Sequence, residues 1–228
     1  MMNGIQKNMA GLLLSLLTLS TASASVSLMG TRVIYDGTKK EASVQLENPD
    51  KTPYLVQSWI NTPEEGDKTK KAPFVVTPPL FRLDPQQKNV LRIILTSPLP
   101  EDKESLFWLN VKGIPGGPTG DNSIQIAVNT VVKLIYRPKS LAKSTPVEHS
   151  DKLSWQRAGN QIQVSNASSY YINFGRISVA GKRLEQATYV APGAVARFNL
   201  PQGVTGGDVA FAIINDQGGV SKDFHSKI

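Results

Sequence analysis

Near the middle of the chain, apolar residues recur at every second position over a stretch too long for an ordinary sandwich strand. Ile124, Ile126 and Val128 are followed by Val132, Leu134 and Tyr136, with Thr130 the only break, while Gln125, Ala127, Asn129, Val131, Lys133, Ile135 and Arg137 lie between. A period of two predicts one extended strand. At roughly 3.3 Å per residue it spans about 40 Å, whereas a typical strand is about 17–20 Å long. One small domain does not cover so long a face. Two readings follow from the periodicity. Part of the apolar row overhangs the core and is available to another chain's sheet, or the strand is shared between two sandwiches of the same chain.

The flanking sequence has a shorter rhythm. Val26–Tyr35, Glu41–Asn48, Tyr54–Ile60, Phe74–Thr77, Asn89–Thr96 and Ser105–Val111 are β-rich runs, separated by Asp36-Gly37, Asn48-Pro49-Asp50, Pro78-Pro79, Pro85 and Pro98. Gly113–Gly120 is predicted as a loop before the long strand. After a polar, proline-bounded connector from Pro138 to Pro146 come further runs at Leu153–Arg157, Gln161–Ser165, Tyr170–Val179, Ala194–Leu200 and Val209–Ile214. No helical period is evident past the first residues. Short strands at this spacing predict an all-β chain of antiparallel, immunoglobulin-like sandwiches.

The N-terminus stands apart from this pattern. Lys7, the apolar run Ala10–Leu19 and the small residues of Ala22-Ser23-Ala24 form the outline of a cleavable signal peptide. The apolar run is about ten residues, half of what a membrane span needs, so stable membrane insertion is not expected. Export to an oxidising compartment and a mature start at Ser25 are expected. Loss of residues 1–24 lowers the formal charge from +7 to +6, with 24 cations against 18 acids. The cations are scattered, and the densest run, Lys68-Thr69-Lys70-Lys71, follows Glu64-Glu65 and Asp67 as a solvated loop. Nucleic acid is not an expected partner. There is no cysteine, so the fold depends on core burial, for which about 200 residues suffice.

Catalytic chemistry finds no support. His149 lies just beyond the connector and His225 near the C-terminus. There is no Gly-x-Ser-x-Gly elbow, phosphate-binding glycine loop or zinc spacing. An enzyme, a cofactor and a metal site are therefore not expected. Asn166-Ala167-Ser168 fits the glycosylation sequon, a pattern too short to be specific.

The stretch from Leu99 through Ser105-Leu106-Phe107-Trp108-Leu109-Asn110-Val111 to Pro115 resembles the signature of periplasmic pilus-assembly chaperones, the PapD/FimC-like family. Thr31-Arg32-Val33-Ile34-Tyr35, Val76-Thr77-Pro78-Pro79-Leu80-Phe81-Arg82, Lys133-Leu134-Ile135-Tyr136-Arg137-Pro138, Tyr170-Tyr171 and Ile214-Asn215-Asp216 extend the likeness over the whole mature chain. The resemblance implies two immunoglobulin-like domains in an L, residues 25–139 and 140–228, after a signal peptide at 1–24. It implies a chaperone that lends a strand to pilus or fimbrial subunits lacking one, and passes them to an outer-membrane usher without cofactor. By position, the lent residues are Ile124, Ile126 and Val128. The cleft residues that grip a subunit's C-terminal carboxylate are Arg32 and Lys133, and an interdomain ion network comprises Glu104, Arg137 and Asp216. Strict alternation places Lys133 on the face opposite Ile124 and Val128.

Two departures accompany the likeness. The second-domain disulfide of some family members is impossible here, and the loop at about 116–123 is short, like the branch associated with rod-like pili. The competing reading is a secreted structural or adhesive sandwich protein, such as a pilus subunit or sugar-binding module. Two domains and an internal donor strand argue against it. When free, the chaperone is expected to be able to self-associate through that strand.

Overall fold

A computed structural model describes residues 26–63, 71–117 and 124–228. The signal peptide, most of the loop before the long strand and most of the charged segment at 64–71 lie outside the described residues. Nearly all the regular secondary structure of the described residues is strand. The first half contains β1 (Ser27–Leu28), β2 (Arg32–Asp36), β3 (Ala42–Glu47), β4 (Tyr54–Asn61), β5 (Phe74–Thr77), β6 (Leu80–Leu83), β7 (Lys88–Leu95), β8 (Ser105–Pro115) and β9 (Val128–Arg137). After two 3₁₀ segments at Lys139–Leu141 and Pro146–Lys152 come β10 (Leu153–Ala158), β11 (Gln161–Asn166), β12 (Ile172–Val179), β13 (Lys182–Arg183), β14 (Tyr189–Val190), β15 (Val195–Asn199), β16 (Asp208–Ile213) and β17 (Phe224–Lys227).

Four sheets make two sandwiches. In the first half, a sheet ordered β1-β3-β7-β5 faces one ordered β2-β9-β8-β4-β6. Alternate residues of both point inward. Leu46, Leu91 and Ile93 from one sheet share a core with Tyr35, Val56, Leu109 and Leu134 from the other. In the second half, β10-β11-β15 faces β13-β12-β16-β17, with β14 also on β12. That core is aromatic at its centre, where the Trp155 ring lies 5.1 Å from Phe211 and 5.7 Å from Phe174. Leu141 of the connector and Val147 just after it pack on this second core.

The run Val26–Tyr35, expected as one strand, is two. Gly30 takes φ +115, a conformation that favours glycine. There the chain leaves β3, paired through β1, and joins β9, paired through β2. The short strands β6, β14 and β17 escaped the periodicity because two to four residues carry too little pattern. β8 runs on to Pro115, since Ile114 and Pro115 still pair with Leu55 and Tyr54 of β4, where a loop from Gly113 was expected. The long strand begins at Val128 rather than Ile124. Its ladder with β8 ends at Gly113 opposite Val128, and residues 124–127 have no strand partner.

A buried asparagine closes the same corner in each sandwich. Asn48, just after β3, donates its amide to the carbonyls of Thr52, Leu83 and Asp84 at 2.8–3.1 Å and accepts from the Asp50 N–H at 3.0 Å. Asn166, the last residue of β11, donates to Tyr170 and Ala191 carbonyls and accepts from the N–H and hydroxyl of Ser168. The sequon pattern is therefore a buried turn whose asparagine is fully used. Asn48→Ala should leave several buried carbonyls without a donor. At about 1–3 kcal/mol for each unsatisfied buried group, urea unfolding should show a clear loss of stability from this one substitution.

Candidate binding cleft and free strand edge

The apolar row of β9 loses its cover along its length. Toward the C-terminal end, Val132, Leu134 and Tyr136 are 8%, 0% and 6% exposed and belong to the first core. Toward the start, Val128, Ile126 and Ile124 are 41%, 72% and 90% exposed. Of the two readings of the long periodicity, the overhang is the one observed: the second core contains no residue of this row. The strand's edge is open over the same stretch. β8 pairs with one side of β9 from Val128 onward, but β2 meets the other side only from Arg32 opposite Lys133. From Val128 to Val132, one edge of β9 therefore has no neighbour among the described strands. An open edge beside exposed aliphatic residues is an unsatisfied sheet position.

The open edge ends at two cations. Arg32 and Lys133 are register partners in the parallel β2–β9 pair. Lys133 projects toward the second sandwich, where its ammonium donates to the Asn173 side-chain oxygen and lies 4.5 Å from the Tyr189 ring centre. Trp108 of β8 is 5.9 Å away on its own sheet. Burial, and then the repulsion of Arg32, push the Lys133 ammonium down to about 8. Burial also lowers Arg32, against a smaller opposing pull from Asp216, and the Arg32 Nε is buried without a hydrogen-bond partner. Among the described residues, neither cation forms an ion pair with a carboxylate. Within β9 the opposition of faces holds: Val128 alternates in step with Val132 and Leu134 of the first core, and Lys133 lies on the face of the second domain. What joins them is the strand edge they share.

Arg137, the last residue of β9, ties the two sandwiches together. Its Nε donates to Glu104 at 2.8 Å, and its two terminal nitrogens reach both Asp216 oxygens at 2.7 and 2.8 Å. Glu104 precedes β8 in the first sandwich, while Asp216 follows β16 in the second. The other Glu104 oxygen accepts the Tyr171 N–H at 2.7 Å, and the Glu104 N–H donates to Ser169. Burial drives the Glu104 carboxyl upward, with Arg137 pulling it back. Burial alone would lower Arg137, but its bonds to Asp216 and Glu104 hold it above its ordinary value. Beside this network Gly218, at φ +88, rests on Thr31 so closely that a Cβ would meet the threonine hydroxyl at 2.5 Å. The residue preceding Arg32 thus abuts the loop carrying Asp216.

The five charged residues singled out from the sequence form two neighbouring groups, and the three aliphatic residues form the overhang. Asn173, Tyr189, Trp108, the Tyr171 N–H and Gly218 were not anticipated. Nothing in the sequence pairs Asn173 with Lys133 forty positions earlier, and Tyr189 sits in a two-residue strand without period.

Two measurements follow from these charges. The Lys133 value in the folded state lies below the ordinary 10.5. Below about pH 8 both folded and unfolded chains carry the charge, so its burial cost is fully present. Between about 8 and 10.5 only the folded chain gives up the proton, and its stability rises with pH. Lys133→Met should therefore be more stable than the wild type at pH 7, with the difference shrinking by pH 9.5 in urea titrations. Arg137→Ala leaves Glu104 buried without its cation, a loss of about 3–5 kcal/mol in comparable cases. Both sandwiches should keep their near-ultraviolet dichroism, while small-angle scattering shows a broader distribution of shapes.

Comparison with known proteins places this geometry. Residues 25–142 match the family described as pili and flagellar-assembly chaperone, PapD N-terminal domain, and residues 148–225 match pili assembly chaperone PapD, C-terminal domain. The chaperone protein LpfB of Salmonella typhimurium is 41% identical over 215 residues, covering 91% of this chain and 90% of the relative. The SafB chaperone, solved with the Salmonella enterica SafA pilin, heads a structure that superposes with a TM-score of 0.82 at 37% identity, over 92% of this chain and 99% of the other. The periplasmic chaperone SfaE superposes at 0.74 with 34% identity, over 90% and 100%. In sequence and in fold, over both sandwiches, the chain belongs to the PapD family of pilus-assembly chaperones.

Proposed function

We propose that the protein is a periplasmic chaperone that binds pilus or fimbrial subunits by lending them the exposed start of β9. It caps each subunit and delivers it to an outer-membrane usher. The observation that carries this reading is the coincidence of three features along residues 124–133: an aliphatic row, an open backbone edge and a pair of cations without a counter-ion. A strand laid along the open edge runs into β2 at Arg32. If its end is a C-terminal carboxylate held by Arg32 and Lys133, the visiting strand runs parallel to β9, in line with β2. The carboxylate supplies the missing acceptor for both cations by charge-assisted hydrogen bonds and sets the register. Ile124, Ile126 and Val128 then fill the groove that the incomplete subunit exposes.

The SafB chaperone's complex with a pilin supports the partner class, and the periplasmic relative supports the compartment. The division into residues 1–24, removed on export, and domains at 25–139 and 140–228 is part of the same reading. The packing of Leu141 and Val147 on the second core favours that boundary. Within the reading, Glu104, Arg137 and Asp216 hold the domains at the angle that forms the cleft, and no catalytic step or cofactor is needed. A role as pilus subunit or sugar-binding module is disfavoured by the family match over both sandwiches. The exposed aliphatic row makes self-association of the free chaperone the natural competitor of subunit capture.

Burial of each aliphatic side chain contributes roughly 1.5–3 kcal/mol, and a charge in the subunit's groove removes that and adds a desolvation cost. Ile126→Asp should abolish recovery of a soluble one-to-one complex with a co-expressed subunit while leaving the unfolding midpoint of the free protein unchanged. A collapsed midpoint, or a normal complex yield, would sink strand donation. N-terminal sequencing of the exported protein should begin at Ser25, and a retained Met1 would contradict the signal-peptide reading.

A further inference from the structure

Lys133 is partly stripped of water, yet the side-chain acceptor that holds it is a neutral amide oxygen. We propose that Asn173 and Tyr189 of the second domain form an uncharged cradle that keeps the Lys133 ammonium oriented and free of a counter-ion, making Asn173 a positioning residue for carboxylate capture. This rests on the cleft reading given above.

The cradle is built by one strand pair. Asn173 of β12 and Tyr189 of β14 are direct partners across the sheet, so both reach the same point in front of Lys133. Asn173 is 2% exposed, and its amide nitrogen donates to the Tyr171 carbonyl at 3.3 Å. That bond turns the side-chain oxygen toward the lysine. The Tyr189 ring supplies a second attraction that does not neutralise the charge. The acids close by are committed elsewhere. Both Asp216 oxygens bind Arg137, and the Glu104 oxygens bind Arg137 and the Tyr171 N–H. Tyr171 therefore links the two systems: its N–H serves the ion network and its carbonyl fixes Asn173. The orientation of Lys133 is in this way coupled to the contact between the domains.

The chemistry of position 173 is consequential. An amide oxygen holds an ammonium by one hydrogen bond and leaves its charge for an incoming anion. A carboxylate there would form an internal ion pair and compete with the ligand. An aliphatic residue would leave the ammonium without an acceptor.

The test has a part that needs no partner. In the free protein, ¹³Cε-labelled lysines are followed through a pH titration, and the Lys133 signal is identified by its loss in Lys133→Arg. Asn173→Asp should move its midpoint upward by at least one pH unit. Tyr189→Leu, at a less buried position, should move it downward. Unchanged midpoints in both variants overturn the cradle. The second part uses an eight-residue peptide of alternating valine and threonine, prepared with a free C-terminal carboxylate and as the C-terminal amide. The wild type should bind the acid at least tenfold more tightly than the amide, and Asn173→Asp should abolish that preference while retaining amide binding. A preference that survives in Asn173→Asp overturns the role of Asn173 alone. Equal binding of acid and amide by the wild type overturns the carboxylate reading of the cleft itself.

Discussion

The parallel pairing of β2 with β9 begins at Arg32 opposite Lys133, and the remaining features of the cleft follow from where that ladder starts. Upstream of it, β9 has a neighbour on one side only among the described strands, so an edge and an aliphatic row stay open. At its first rung, two cations are forced side by side. At its last rung, Arg137 arrives at the domain boundary with its guanidinium aimed at acids from both sandwiches. A β2 that began five residues earlier would pair with β9 from Val128 onward and close the edge. The sheet switch at Gly30 decides this, because it is there that the chain leaves one sheet for the other.

The charges near the boundary divide into two groups with opposite treatment. Glu104, Arg137 and Asp216 satisfy one another with bidentate geometry, the condition under which a buried ion cluster recovers its desolvation cost. Arg32 and Lys133, a short distance along the same strands, have no such relief. Burial lowers the pKa of both, and the charge of Arg32 lowers Lys133 further. A free state that carries this cost gains it back when an anion arrives. In the proposed function, the stability lost in the unliganded protein becomes binding selectivity for a chain that ends in a carboxylate.

An open, apolar edge is also a hazard, since it pairs with any compatible strand. Here the exposed stretch is short. It begins beyond the end of β8's ladder and terminates against Arg32, which limits how long a visiting strand can be and where it must stop. The same features that select a partner restrain indiscriminate pairing.

Much of this was legible in the chain. The period-two row from Ile124 to Tyr136 announced a strand longer than its domain, because alternation reports which face is apolar whether or not anything covers it. Turn residues marked most boundaries between the longer strands, and the family likeness singled out Arg32, Lys133, Glu104, Arg137 and Asp216. Three things were decided only by the tertiary structure. Ile124–Ala127 lies outside the ladder, since pairing depends on where the neighbouring strands stop. Asn173 and Tyr189 face Lys133, since contacts across a domain boundary leave no local pattern. The sequon at Asn166 is a buried corner, since a three-residue motif carries no information about burial. The sequence by itself determined which residues are apolar, charged or turn-forming and at what spacing; which of them are covered, paired or left without a partner depended on long-range packing, a property of the folded whole.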